Sequence, residues 1–241
     1  MRPLLALALA LLAAAPSRAA DTILVVGDSH TAGAFGKALD GALRAAPGNR
    51  VATYGVCSAA PSSYVDETPH ACGHWFSDFQ GTAPAKWLGA RQYKATIKGK
   101  EVTMIKTPEI GQLLADHAPG TVIVALGSNP TTGAGIDALL AAIHGPTPGA
   151  GARCVWIGPP DMRSPDKAAV EKTYQLLRKH RVFEGATTWE ARQDSCLLID
   201  SRTMTQYAAS GGDGTHYNGA LTAAGRKWGA DAAAAALAWL P

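Results

Sequence analysis

Five short apolar runs, separated by segments of helix length, constrain the fold of this chain most. The runs are near-continuous in Val, Ile and Leu rather than alternating, which is typical of strands covered on both faces. They cover residues 22–26, 50–54, 121–126, 154–157 and 196–199. Helices are predicted at about 31–46, 108–117, 135–144, 164–181 and 219–239. The alternation predicts an α/β domain with a five-stranded parallel sheet and right-handed crossovers.

The first 19 residues have the features of a secretory signal peptide. Arg2 precedes an apolar run at 4–15, and Pro16 is followed by a small-x-small pattern that ends at Ala19. The run is shorter than the roughly 18 apolar residues that cross a bilayer, and no later stretch reaches that length. We therefore predict a secreted or periplasmic protein without a membrane span, in which residues 20–241 form a single domain.

The low charge argues against a nucleic-acid partner. Only 17% of the residues are charged and 47% are hydrophobic. Removal of Arg2 and Arg18 with the signal leaves 20 of the 22 basic residues against 19 acidic ones. A nearly neutral chain has little electrostatic attraction for a phosphate backbone. The composition therefore predicts a compact globular protein that does not bind nucleic acid.

Four cysteines in an exported protein are expected to form disulfides. Cys57 and Cys72 lie in one irregular segment, whereas Cys154 and Cys196 each begin a predicted strand. If those two strands are parallel neighbours, their first residues are adjacent. We therefore predict the disulfides Cys57–Cys72 and Cys154–Cys196. The alternative is a metal site with the ligands Cys57, His70, Cys72 and His74, although their spacing matches no common zinc pattern.

The second crossover is far longer than a helix and two loops need, which indicates an insertion at about 56–106. A hairpin is predicted within it, with strands at 92–97 and 101–106 and a turn at 98–100. The insertion also holds six aromatic residues, Tyr64, Trp75, Phe76, Phe79, Trp87 and Tyr93. They form either the rim of a binding site or a small satellite core.

Polar residues follow the predicted strands at the sheet edge where ligands bind in open α/β folds. Ser29 begins a helix after the first strand, and Asp213 and His216 lie on the loop before the last helix. An imidazole can take the proton of a serine hydroxyl, and a nearby acid can orient that imidazole. The amides of Ser29 and Gly55 and the side chain of Asn129 are suited to stabilise an oxyanion. Each feature alone is common, since a serine before a helix is usually only an N-cap, so the evidence lies in their joint order.

The order of these motifs resembles the SGNH hydrolase superfamily of GDSL-like esterases. The matching residues are Gly27-Asp28-Ser29, Gly55 within Tyr54-Gly55-Val56-Cys57-Ser58, Gly127-x-Asn129 and Asp213-x-x-His216. The resemblance spans about 22–220. We accordingly predict a flavodoxin-like three-layer α/β/α sandwich with strand order 2-1-3-4-5.

The resemblance implies a role for each matching residue. Ser29 is the nucleophile, His216 the general base and then acid, and Asp213 its orienting acid. Ser29, Gly55 and Asn129 form the oxyanion hole. The sequence departs from the family at His30, which replaces a leucine, and at Pro130, which stands where an acid commonly follows the asparagine. His30 either lines the site or packs behind it, whereas the histidines without such neighbours, His70, His74, His117, His144 and His180, are expected at the surface or in loops.

The predicted function is that of a serine esterase acting through an acyl-enzyme, with no metal or cofactor. The compartment and the insertion aromatics favour O-acetyl groups on an envelope or extracellular glycan as the substrate. The same triad serves lipases, thioesterases and O-acetyltransferases, which stay open as alternatives. An alternative of another class is a catalytically silent glycan-binding module on the same fold. The sequence does not predict an oligomeric state.

Overall fold

The computed structural model describes residues 21–82, 91–146, 151–163, 166–184, 194–207 and 213–240. The predicted signal peptide and Trp87 lie outside the described residues. Within them, no helix has both the length and the apolar character needed to cross a membrane.

The described strands form one large and one small sheet. They are β1 (Thr22–Gly27), β2 (Arg50–Val56), β3 (Pro69–His70), β4 (His74–Ser77), β5 (Gln92–Ile97), β6 (Lys100–Lys106), β7 (Thr121–Ala125), β8 (Arg153–Ile157), β9 (Val182–Phe183) and β10 (Cys196–Ile199). The large sheet has the order β4-β2-β1-β7-β8-β10-β9, and the small one the order β3-β6-β5. The five predicted strands lie together as β2-β1-β7-β8-β10, all parallel to their neighbours. The predicted order of 2-1-3-4-5 therefore describes the centre of the sheet.

The prediction of a five-stranded, wholly parallel sheet is wrong at both edges, since the sheet has seven strands. β4 comes from the insertion and pairs antiparallel with β2. β9 is only two residues long and pairs parallel with β10. An edge strand this short buries little side-chain surface and needs no long apolar run. Neither segment contains such a run, so neither strand was predicted.

Helices cover both faces of the large sheet. They are α1 (Ser29–Ala32), α2 (Ala34–Ala45), α3 (Ser63–Asp66), α4 (Ile110–His117), α5 (Gly133–His144), α6 (Asp166–Lys179) and α7 (Thr222–Trp239). α2 and α7 pack in one apolar cluster with Ile23 and Val25 of β1. α4, α5 and α6 pack in the other with Leu24 and Val26. Successive side chains of a strand point to opposite faces, so this burial on both sides explains the continuous apolar runs.

The helix predicted at 31–46 is broken in two at Gly33. The Gly33 N–H donates to the carbonyl of His30 and closes α1 after a single turn. A Cβ on Gly33 would lie 2.8 Å from Asn218 Oδ1, so the loop that carries His216 leaves no room for a side chain here. The break thus brings the start of α2 against the loop before α7.

The insertion contains the predicted hairpin, with β6 beginning one residue earlier than expected. Ile97 pairs with Lys100 across the two residues Lys98 and Gly99, which both have positive φ, as a tight type I′ turn requires. Of the described aromatics in the insertion, Tyr64 and Phe76 are buried and Phe79 packs against the same core. These three belong to the core rather than to a rim.

The structure contains the two predicted disulfides, Cys57–Cys72 and Cys154–Cys196. Cys154 and Cys196 are register partners at the starts of β8 and β10, which is the adjacency on which the pairing was predicted. The sulfur atoms of Cys57 and Cys72 are bonded to each other, so the alternative metal site at 57–74 is wrong.

Replacing Cys154 and Cys196 together with alanine is expected to lower the free energy of unfolding by about 4 kcal/mol. The two residues are 42 apart, and opening a loop of that length releases chain entropy in the unfolded state. Urea unfolding under non-reducing conditions measures the change. The matched control is the Cys57→Ala, Cys72→Ala pair, whose 15-residue separation predicts a smaller loss of about 3 kcal/mol. Four free thiols in the purified wild type would contradict the pairing.

Candidate active site

Ser29, His216 and Asp213 form a hydrogen-bonded chain at the carboxyl edge of the sheet. His216 Nε2 lies 2.8 Å from Ser29 Oγ, and His216 Nδ1 lies 2.6 Å from Asp213 Oδ2. Since ionised Asp213 can only accept, Nδ1 carries the proton and Nε2 presents its lone pair to the serine hydroxyl. Within the chain, a proton can pass from Ser29 to His216 without any movement of the backbone.

A tight turn holds Asp213 in the orientation that this chain requires. Its Oδ1 accepts from the backbone N–H groups of Thr215 at 2.9 Å and His216 at 2.8 Å. Partial burial by itself raises the pKa of the Asp213 carboxyl, but the hydrogen bonds from the His216 backbone and ring and from Thr215 outweigh it and hold the pKa well below its usual range. Asp213 is therefore ionised at neutral pH and can hold the His216 ring in one orientation through Nδ1.

Asp28 connects the serine turn to the turn after β7. It is the N-cap of α1 and accepts the backbone N–H of His30 at 2.9 Å. It also accepts hydrogen bonds from the backbone and the hydroxyl of Ser128. Burial raises the pKa of Asp28 to about 6, although these hydrogen bonds and the charge of His216 oppose the shift. Asp28 is thus hydrogen-bonded to His30 and Ser128, which are next in sequence to Ser29 and Asn129. Its carboxyl therefore holds Ser29 and Asn129 at the same edge of the sheet.

The side chain of Asn129 has a fixed orientation. Its Nδ2 donates to the carbonyl of Ala59 at 2.9 Å, which uses one of the two amide hydrogens. The preceding Gly127 has a φ of 132°, and a Cβ there would lie 3.0 Å from Pro159 and from Thr173. The turn after β7 therefore needs a glycine, and the second hydrogen of the Asn129 amide is left for another acceptor.

Gly55 lies inside β2, in register with Gly27 on one side and Trp75 on the other. Cys57 N donates to Gly73 O, and hydrogen-bonded pairs alternate along an antiparallel ladder, so the Gly55 N–H is directed at Trp75. A Cβ on Gly55 would lie 2.5 Å from Ala32 N. These contacts give Gly55 a packing role beneath α1, and its role as an oxyanion donor stays a prediction.

Tyr64 has a structural role at this edge that the sequence did not reveal. Its buried hydroxyl lies 2.7 Å from Gly27 O and 2.5 Å from Tyr54 O, and it accepts the Gly27 N–H at 3.1 Å. The hydroxyl therefore fixes the ends of β1 and β2 immediately before the Ser29 turn. No motif marks this tyrosine, because an aromatic residue in an insertion is more often only part of a core.

His30 is buried behind the site and does not line it, since only 3% of the residue is exposed. Its ring centroid is 5.3 Å from that of His216 and 5.3 Å from that of Trp228. Its Nε2 has no hydrogen-bond partner among the described residues. Burial, and next repulsion from the imidazolium form of His216, lower the pKa of His30 to about 3. The residue is thus a neutral support for the imidazole of His216.

Two open grooves lie at this edge of the sheet, and Ser29 lines the first of them. One, of about 380 Å³, includes Ser29, His216, Asn218, the Cys57–Cys72 disulfide and His74. The other, of about 510 Å³, includes Asn129, Met162, Val170, Thr173 and Thr215. The insertion therefore contributes its disulfide and His74 to the first groove. This position of His74 in a groove was not predicted, although its place two residues after Cys72 was a usable signal.

The described residues offer little for a bound metal ion. Within them, one group of His, Cys and acidic side chains is close enough to share an ion, and its members are His144, Cys154 and Cys196. The two sulfur atoms of this group form a disulfide and are not thiolates, which are the form of cysteine that binds metals.

Comparisons with known proteins show a likeness in fold. No family model matches the chain, and no curated protein matches it. A solved structure of a peptidoglycan O-acetylesterase is similar with a TM-score of 0.50 at 13% identity, with 92% of this chain and 91% of that chain covered. A DUF4886 family protein from Bacteroides uniformis has a TM-score of 0.46 at 12% identity, with 91% and 82% covered. At 13% identity, the likeness to the esterase structure concerns the fold alone.

Proposed function

We propose that this protein is an exported serine esterase of the SGNH type, which releases acetyl groups from an O-acetylated glycan through an acyl-enzyme. The observation that carries the proposal is the chain from Ser29 through His216 to Asp213, with contacts of 2.8 and 2.6 Å. Its members come from opposite ends of the sequence and meet at the sheet edge where α/β folds bind ligands. The two disulfides suit an oxidising compartment.

Acylation begins when Ser29 Oγ attacks the ester carbonyl carbon and His216 Nε2 takes the hydroxyl proton. The carbonyl oxygen becomes an oxyanion, which the Ser29 N–H and the second amide hydrogen of Asn129 stabilise. The C–O bond to the alcohol then breaks, and His216 gives its proton to the departing oxygen. Asp213 stabilises the imidazolium through this cycle and does not itself take the proton.

Deacylation repeats these steps with water as the nucleophile. The water oxygen bonds to the acyl carbon while His216 takes a proton from the water. The bond between the acyl carbon and Ser29 Oγ then breaks, and His216 returns the proton to Ser29 Oγ as the acid leaves. The groove that Ser29 and His216 line is open, so water and a polymeric alcohol have access. If a sugar hydroxyl replaced the water, the same residues would transfer the acetyl group, which is the acyltransferase alternative.

Two observations support an acetylated glycan as the substrate. The first is the similar fold of a solved structure of a peptidoglycan O-acetylesterase, which supports an O-acetyl ester as the substrate. In addition, the groove that contains His216 is shallow and lined by small and polar groups such as Gly33, Gly73 and Asn218, which suits a sugar better than a long acyl chain. A strong preference for long acyl chains would point instead to a lipase.

A fluorophosphonate probe is expected to label the folded protein at Ser29 and at no other serine. The probe reacts with a serine whose hydroxyl is activated by a neighbouring base, and the His216 contact provides that activation. Mass mapping of the labelled peptide locates the adduct, and heat-denatured protein is the control that should stay unlabelled. An unlabelled native protein would favour the alternative of a catalytically silent glycan-binding module.

A further inference from the structure

A third groove, of about 490 Å³, continues from the groove that contains His216. The two grooves share Gly33 and Asn218. The third groove lies between the first turns of α2 and α7, and its charged residues are Lys37 and Arg226. The path from the proposed catalytic serine therefore leads directly to two cations.

Lys37 and Arg226 are not neutralised by acidic neighbours in the described part of the chain. Both side chains are exposed, and neither forms an ion pair with a described carboxylate. No Asp or Glu is among the residues that line the third groove. By contrast, Arg44 on α2 pairs with Asp40, and Lys227 on α7 pairs with Asp231. Each helix thus pairs one cation with an acid of the same helix, and its other cation, Lys37 or Arg226, faces the groove.

The position of this groove identifies the part of the substrate that it meets. The acyl group stays on Ser29 after the first step, whereas His216 must protonate the departing oxygen. The alcohol portion of the ester therefore leaves on the His216 side, towards Asn218 and the third groove. Asn218 lines both grooves, and its Oδ1 accepts the Ala34 N–H at the start of α2.

We propose that Lys37 and Arg226 bind a negatively charged group on the alcohol portion of the ester, so that the substrate is an acidic glycan. This inference rests on the proposed esterase function and specifies its substrate. A carboxylate and a phosphate can both bind to two cations that line one groove. Although the mature chain as a whole is nearly neutral, the charge in this groove gives it a local preference for anions.

The test compares acetate release from three acetylated polymers, which are neutral xylan, polygalacturonate and phosphorylated dextran. The Lys37→Gln, Arg226→Gln double variant is expected to raise KM about tenfold on the acidic polymer that the protein prefers, with kcat unchanged, since two partly exposed charge contacts are lost. Its activity on xylan and on p-nitrophenyl acetate should equal that of the wild type. Whether polygalacturonate or phosphorylated dextran shows the effect distinguishes a carboxylate from a phosphate.

The control is the Lys179→Gln, Lys227→Gln double variant, which removes the same charge outside the groove. An equal rise in KM for this control, or equal KM values for acidic and neutral polymers in the wild type, would overturn the inference while the esterase function stands. Calorimetric binding of the unacetylated polymers to the wild type and the groove variant gives a readout that needs no turnover. It therefore separates failure of the groove from failure of the proposed activity.

Discussion

The Ser29→Ala variant is expected to lose at least about 10⁴-fold in kcat for ester hydrolysis, because the chain from Asp213 through His216 then has no nucleophile to activate. The change removes one oxygen atom, and the Ser29 side chain contacts His216 without supporting the core. The folded structure should therefore be retained. Acetate release and p-nitrophenyl acetate turnover measure the loss, and thermal unfolding verifies that the variant is folded.

The matched control is Ser62→Ala. Ser62 precedes α3, and its side chain makes no capping hydrogen bond to that helix. This variant should keep the wild-type rate. If Ser29→Ala also kept the wild-type rate, the catalytic group would lie elsewhere, and the geometry around His216 would need another explanation.

The central strands of the fold could be predicted because their residues are mainly apolar and are stable only when both faces of the strand are buried. Runs such as that of β1 are apolar at every position, and only a strand between two helical layers buries both of its faces. The pairing of Cys154 with Cys196 followed from placing β8 and β10 side by side. The positions of Ser29, Asp213 and His216 could be predicted for a similar reason, since strand ends and the long loop before α7 converge at one edge.

What the sequence did not reveal depends on contacts between distant segments. β4 is short, and it forms because its backbone pairs with the otherwise unpaired edge of β2. The packing of Gly55 against Ala32 depends on how closely α1 approaches β2. The insertion aromatics were ambiguous because Tyr64 could bury its ring either in a core or in a rim, and only the backbone positions of Gly27 and Tyr54 decide the matter.

His30 shows the energetic consequence of placing an ionisable group behind the proposed base. Burial, and then the charge of His216, lower its pKa to about 3, so the folded protein takes up this proton far less readily than the unfolded chain, which does so near pH 6.5. The stability due to neutral His30 is therefore present above about pH 6.5 and is lost as the pH falls towards 3, at about 1.4 kcal/mol per pH unit. Asp28 has the opposite effect on the pH dependence of stability, because its pKa is raised to about 6. The stability that protonated Asp28 contributes is present at low pH and is lost as the pH rises through about 6.

The His30→Leu variant is expected to resist acid better than the wild type. Leucine fills a similar volume against Trp228 and cannot be protonated, so the stability of the variant relative to the wild type should grow by up to about 5 kcal/mol between pH 7 and pH 3. Urea unfolding at a series of pH values gives the two curves, and Asp28 contributes equally to both. The control variant His30→Gln removes the same titrating group but leaves a buried amide, so it should show the pH slope of His30→Leu at a lower absolute stability. Parallel curves for the wild type and His30→Leu would mean that His30 takes up its proton equally in the folded and unfolded states, which contradicts its burial beside His216.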